Sequence, residues 1–425
     1  MNRSAVREFQ APGISVPRGE LLVPTQVGDP ARGPLMCPAG PLIGGSLLRK
    51  GWRASAAPVP RLEDLGSDLA GATVYLVTCA QRDGRTAALA AAASPDDRRA
   101  AAAASAAVQE WAAVAGTRRL LTAGRPWCSG ARSALATARA TASEQDGRGR
   151  AVHIYGELAA PPEAAAELAA RGVHATATLE AIPEGDIVIF PAHGVPPTVR
   201  AQAAARGLAV VDATCPLVAH AQDEATRLAE RGDDVVLIGH PGQLTAAAIT
   251  GCAPRAAVVE SAGGTATLQV TDARRVSYVL QPGIPVEWSG PVAGALRSRF
   301  PAARGPNPDG FCYAPSDRAQ TVRAIAADCE LMLVLGDAES GDARMLSGLA
   351  RDCGTRAQVI AAVSDLTPAM LGGLSAIGLA ESTSAPSALA GEVTGALAGL
   401  GPLSVVRRQV SSQITDVRAS EPAPI

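Results

Sequence analysis

Aromatic residues are scarce: Phe, Tyr and Trp together make up 3% of the 425 residues. A core must therefore come mostly from Ala, Val and Leu, which an apolar content of 47% allows. Lysine is nearly absent, with Lys50 its single occurrence, and arginine supplies the remaining basic charge. The formal net charge is -2 and no long basic run occurs. Nucleic acid and anionic membranes are therefore not expected as partners. No stretch approaches the 18 or so consecutive apolar residues of a transmembrane helix. The N-terminal string MNRSAVREFQAPG lacks the apolar core of a signal peptide, and a cytoplasmic location is expected. Structural disulfides are rare there. The eight cysteines accordingly read as buried small apolar residues with a few ligands among them. No G-x-G-x-x-G fingerprint follows a strand, so electrons for any redox chemistry must come from outside the chain.

Residues 1–20 read as a loose tail and 411–425 as a polar, extended C-terminal tail. Residues 21–118 form an extension of unknown role, with candidate strands at 21–27 and 72–80, a Pro- and Gly-rich loop at 32–45 and an Ala-rich helix at 98–115. From 119 to about 410 short apolar runs alternate with helical stretches. The runs include RRLLTAG (118–124), AVHIY (151–155), DIVIFPA (186–192), LAVVDA (208–213), DVVLIG (234–239), VSYVLQ (276–281), ELMLVLG (330–336) and LSAIGLA (374–380). This alternation predicts parallel sheets with crossover helices, an α/β fold. Three similar units are expected, at about 119–207, 208–305 and 306–405.

Cys128, Cys215 and Cys312 recur 87 and 97 residues apart, each just before a helical stretch. The thiolate is the form that binds iron, and a helix N-terminus offers free N–H groups and the positive end of the dipole. Three such cysteines suit an iron–sulfur cluster. A cubane has four irons, so three protein ligands leave one iron open to a substrate oxygen. No compact CxxC pattern supports the trio, and a buried inert cysteine remains the other reading of each position. Cys79, Cys252, Cys329 and Cys353 fit that reading better. Cys37, in MCPAG, is the one other candidate.

IFPAHGV (189–195), VVDATCPLV (210–218) and VVLIGHPG (235–242), in that order, resemble the central signature of the LytB/IspH family of 4-hydroxy-3-methylbut-2-enyl diphosphate reductases. GFCYAPSDRAQTVRAIA (310–326) is similar to that family's third cysteine segment, STSAPS (382–387) to its serine loop, and PWCSGARSAL (126–135) to its first cysteine segment. The resemblance covers roughly 119–415. It implies three α/β units around a central 4Fe-4S cluster held by Cys128, Cys215 and Cys312. It also implies a small-molecule substrate, an allylic diphosphate reductively dehydroxylated to the two five-carbon isoprenoid precursors, and an external electron donor such as ferredoxin or flavodoxin. His193, Ser340 and Ser384 match diphosphate-binding positions.

The sequence departs from the family's pattern around the substrate. The family's His-Glu pair reads Gly156-Glu157. Gln243 stands at a diphosphate-binding histidine, Thr245 at the proton-relay glutamate, and Asp342 closes a Ser-Ser-Asn triplet that here reads Ser340-Gly341-Asp342. Pro282 stands at a substrate-contacting threonine, and His240 matches the first histidine of GHxxH rather than the phosphate-binding one. A diphosphate needs cations or N–H donors around it, and Asp342 adds a like charge. Three readings follow: the family reaction, reduction of a different and less anionic small molecule on the same open iron, or a non-catalytic redox sensor.

Overall fold

The computed structural model describes residues 6–29, 32–59, 71–124, 127–145 and 149–412. The expected tail positions 1–5 and 413–425 lie outside them. The described residues fall into two compact units, one from those up to 124 together with 321–408 and the other from 127–320 together with 409–412.

The first unit contains two sheets. The N-terminal sheet holds β1 (Arg7–Ala11), β2 (Glu20–Asp29), β3 (Gly33–Met36), β4 (Arg53–Val59), β5 (Ala72–Ala80) and β6 (Thr86–Ala93). Their order is β1-β5-β6-β2-β3, with β4 also paired to β2. Helices α1 (Gly40–Arg49) and α2 (Arg98–Ala113) accompany it. Asp97 caps α2 by accepting the N–H groups of Arg99 and Ala100. Two segments depart from the expected organisation. Residues 7–11, assigned to a loose tail, form an edge strand on β5. Residues 32–45, assigned to a loop, contain β3 and most of α1. One glycine behind the loop reading serves packing instead: a Cβ on Gly45 would lie 2.4 Å from the Ser364 carbonyl oxygen. A proline in the first turn of α1 is compatible with a helix.

The second sheet of this unit is parallel and ordered β16-β15-β17-β7-β18. It comprises β7 (Arg118–Thr122), β15 (Leu331–Leu335), β16 (Arg356–Ile360), β17 (Ala376–Glu381) and β18 (Leu403–Arg407), with helices α10 (Gly341–Asp352), α11 (Pro368–Leu371) and α12 (Leu389–Ala398). Alternation along β15 splits its side chains between two cores. Met332 and Val334 pack with Val322, Ile325 and Leu346. Leu331, Leu333 and Leu335 join Leu42, Ile43 and Leu47 of α1 and Val108 and Trp111 of α2. Trp111 is fully buried and donates its indole N–H to Ser46 Oγ at 3.0 Å.

The N-terminal segment thus supplies half of a core that the parallel sheet cannot close alone. A chain beginning at residue 118 should be insoluble or aggregated, because one apolar face of β7, β15 and β17 would meet water. Sedimentation and thermal melting check this. A monodisperse, cooperatively melting truncation would show that the segment is dispensable.

The second unit holds two parallel sheets, β11-β10-β8-β9 and β13-β12-β14. Its strands are β8 (Val152–Tyr155), β9 (Val173–Thr176), β10 (Ile187–Phe190), β11 (Ala209–Asp212), β12 (Asp234–Ile238), β13 (Ala257–Val259) and β14 (Val276–Leu280). The helices are α3 (Ser129–Gln145), α4 (Pro162–Ala170), α5 (Pro197–Ala205), α6 (Pro216–Glu230), α7 (Leu244–Thr250), α8 (Val286–Arg299) and α9 (Ala314–Ala326), the last reaching into the first unit's residues.

Strand pairing differs from the expected units at two places. Residues 118–122, expected to open the 119–207 unit, pair with β17 and β18. Residues 209–212, expected to open the 208–305 unit, pair with β10. The second case is a compact β10–α5–β11 crossover, which returns the chain beside the strand it left.

Candidate active site

The three expected cysteines all fall in the second unit, each at the start of a helix. Cys128 immediately precedes α3, where its sulfur accepts the Ala131 N–H at 3.4 Å. Cys215 is the N-cap of α6, with its carbonyl accepting the Val218 and Ala219 N–H groups at 2.9 Å. Cys312 lies two residues before α9. Burial pushes the Cys215 and Cys312 thiols up. Backbone N–H groups oppose this, those of Leu217 and Val218 at Cys215 and those of Gly283 and Ala314 at Cys312. Mutual repulsion adds a further upward push, from Cys128 on Cys215 and from both Cys128 and Cys215 on Cys312. The three sulfurs therefore lie within electrostatic reach of one another.

Gly130 completes this arrangement. A Cβ there would lie 2.6 Å from Cys215 Sγ and 2.9 Å from its Cβ, so the first turn of α3 abuts Cys215 directly. Among the described residues no three His, Cys, Asp or Glu side chains close around a single metal ion. Thiolate ligands of a multi-iron cluster need not converge on one point. N–H donors at every sulfur and a glycine cradle beside Cys215 fit that larger group. The remaining cysteines do not join the trio. Burial raises Cys37 to about 12, Cys79 to about 11 and Cys329 to about 11, and Cys37 belongs to an apolar core.

His193 follows β10 in a turn that Gly194 makes with φ +73°. The buried Gln222 ties this turn to α7, donating to the Val195 carbonyl at 2.9 Å and to the Ala248 carbonyl at 3.0 Å. His193 Nδ1 lies 3.3 Å from Thr245 Oγ1. Burial holds the imidazole below its usual pKa, with Glu157 opposing the shift, so His193 is neutral at pH 7. Gly156 has φ +75° and sits 3.6 Å (measured from an added Cβ) from a Leu244 methyl. A histidine would be strained there. His240 turns elsewhere: its ring packs 4.6 Å from Trp288, and Nδ1 faces Glu260 Oε2 at 3.7 Å.

Ser340, Asp342 and Ser384 form a separate group in the first unit, beyond the carboxyl ends of β15 and β17. Ser340 is the N-cap of α10 and makes no side-chain capping bond. Asp342 accepts the Thr383 N–H at 2.6 Å, which ties the serine loop to α10. Ser384 Oγ lies 2.8 Å from Ser382 Oγ and accepts the Asp337 N–H at 3.0 Å. The Asp342 carboxylate, expected as a charge opposing an anion, thus has a structural bond of its own.

Two residues that support these groups escaped the sequence reading, Gly130 and Gln222, while Gln281 is legible there only as the glutamine before Pro282. A glycine after a cysteine and glutamines within apolar patterns are ordinary locally. Their value lies in partners distant along the chain.

The family profile described as LytB protein matches residues 120–398. A relative from Mycobacterium bovis, 4-hydroxy-3-methylbut-2-enyl diphosphate reductase 2, is 36% identical over 299 residues, covering 69% of this chain and 90% of the relative. The 4-hydroxy-3-methylbut-2-enyl diphosphate reductase of Stenotrophomonas maltophilia is 38% identical over 245 residues, 56% of this chain and 78% of the relative. The solved structure of the Plasmodium falciparum E-1-hydroxy-2-methyl-but-2-enyl-4-diphosphate reductase matches with a TM-score of 0.61 at 22% identity, covering 70% of this chain and 95% of that one. This likeness shows a shared fold. With a family profile spanning most of the chain, and a relative matched across nine-tenths of its length, the chain belongs to the LytB family.

Proposed function

We propose that this chain is an iron–sulfur reductase that holds a 4Fe-4S cluster on Cys128, Cys215 and Cys312 and reductively dehydroxylates an allylic diphosphate in isoprenoid precursor synthesis. The observation that carries the proposal is the gathering of three thiols, each at a helix start, with backbone N–H groups directed at their sulfurs and Gly130 against Cys215. When bound, such a cluster supplies electrons and one iron without a protein ligand.

The chain's own residues bind the substrate and move protons. Within the second unit His193 and Gln243 are the proposed contacts of the diphosphate; Ser340 and Ser384 of the first unit are proposed only from their match to the family's diphosphate-binding positions. His193 offers the diphosphate a ring N–H as a hydrogen-bond donor. Thr245 holds His193 in place and can pass a proton onward, but a hydroxyl is no acid at neutral pH, so turnover should be slow beside that of a site with a carboxylic acid here. With no dinucleotide fingerprint in the sequence, a ferredoxin or flavodoxin is the proposed electron donor. Among the described residues no helix is long and apolar enough to cross a membrane. None of the eight cysteines is in a disulfide, which fits a reducing compartment.

Purification without oxygen, followed by iron, sulfide and absorption measurements, tests the cluster. About four irons per chain, lost on replacing any one of Cys128, Cys215 or Cys312 by alanine, is the expected result. A folded, colourless, iron-free protein would overturn it. Gln243 and Thr245 at a histidine and a glutamate position favour one second reading, the reduction of a less anionic molecule on the same cluster. Turnover of a non-phosphorylated allylic alcohol, with none of the diphosphate, would select that reading.

A further inference from the structure

Gln281, at the end of β14, is 2% exposed. One end of its side-chain amide lies 2.8 Å from the backbone N–H of His240. A backbone N–H only donates, so that end must be Oε1. The other end is then Nε2, which only donates. It lies 2.6 Å from the Gln243 side-chain amide, and the atom it meets must be Gln243 Oε1. A single backbone donor thus sets the polarity of two consecutive amides. Gln243 is left with Nε2 as the outward end of its amide. Gly239 makes the first link possible: a Cβ there would lie 2.3 Å from Gln281 Oε1 and 2.9 Å from its Cβ.

The same loop also serves the sulfur site, because the Gly283 N–H is directed at the Cys312 thiol. Gln243 stands two residues before Thr245, which bonds His193. The chain His240 N–H, Gln281, Gln243 therefore runs from the loop beside Cys312 to the proposed substrate contacts.

We propose that Gln281 is a positioning residue that locks Gln243 as a hydrogen-bond donor, so that this corner of the site selects a substrate end group that only accepts, a phosphate or diphosphate. This rests on the function proposed above. An unlocked glutamine turns either end of its amide to a ligand and discriminates little between donors and acceptors. The locked amide offers N–H groups alone, which repel an ammonium and give a hydroxyl no acceptor, while an oxyanion can take both donors.

The experiment is a double-mutant cycle read by calorimetric titration of inorganic pyrophosphate into the cluster-loaded full chain. Gln243→Ala should weaken pyrophosphate about tenfold, the loss of one hydrogen bond to a charged group. Gln281→Glu should weaken it at least as much. Its carboxylate still accepts the His240 N–H but no longer donates, so Gln243 turns Nε2 inward and shows its oxygen to the anion. In the Gln243→Ala background, Gln281→Glu should add much less. Gln281→Met reads the same cycle without adding charge, and serves where the glutamate variant does not fold. It should weaken pyrophosphate about threefold alone, less than one hydrogen bond to a charged group, and not at all beside Gln243→Ala. Fully additive effects in both cycles would overturn the lock while leaving the reductase reading intact. A wild-type protein that carries its cluster yet binds no pyrophosphate would overturn the lock's role in selection and the diphosphate reading together.

Discussion

Gly130→Ala should strip the protein of iron while leaving the chain folded. Alanine favours a helix over glycine, and Gly130 lies in the first turn of α3, so the helix itself loses nothing. The conflict is with Cys215. A methyl group 2.6 Å from Sγ and 2.9 Å from Cβ cannot coexist with that side chain. Neither atom belongs to a long flexible side chain able to swing clear, so Cys215 must rotate or α3 must shift. Either movement breaks the arrangement of three sulfurs. Iron per chain should fall to near the level of Cys215→Ala, with the melting temperature of the apoprotein held or raised. Full iron content in the Gly130→Ala protein would mean that the sulfur of Cys215 is placed differently when it binds metal.

Thr245→Glu combined with Gln243→His should accelerate diphosphate turnover by about a hundredfold, the lower end of what a positioned general acid contributes. Thr245 is 5% exposed and faces His193 Nδ1. A carboxyl group there is desolvated, which raises its pKa and leaves part of the population protonated at neutral pH. That is the state able to deliver a proton. The introduced imidazole at 243 meets the Gln281 Nε2 donor, so its facing nitrogen accepts and its other nitrogen keeps the N–H for the anion. The expected kinetic signature is a split: Thr245→Glu alone raises kcat, and Gln243→His alone lowers KM. Steady-state kinetics with a chemical reductant read both. No gain in either parameter would mean that the site differs from a diphosphate pocket by more than these two side chains, and would favour the less anionic substrate.

The residues behind these effects differ in how far the local sequence reveals them. Cys128, Cys215 and Cys312 could be picked out because cysteine before a helix is a chemical signal carried by a few adjacent residues, repeated three times in the chain. His193 and Thr245 were reachable only through similarity to a family, since one histidine before a glycine has many uses. Their contact joins residues 52 positions apart. Gln281 is legible in the sequence only as the glutamine before Pro282, and its role is not. Its function depends on which backbone N–H meets its oxygen and which amide meets its nitrogen, and both partners lie about forty residues away.

The amino-acid sequence by itself determined the α/β class, the three cysteine-bearing helix starts and the family, all of which are written in local periodicity and short ordered motifs. Tertiary structure alone decided that β7 pairs with strands more than 250 residues later. It also decided that the N-terminal segment completes the core under the last parallel sheet, and that Asp342 is engaged by a backbone N–H. The physical reason is the same in each case. Period and propensity report how a residue relates to its neighbours along the chain. Strand order, shared cores and hydrogen-bond polarity are set by which distant surfaces bury one another, and buried donors and acceptors must then find partners wherever the fold puts them.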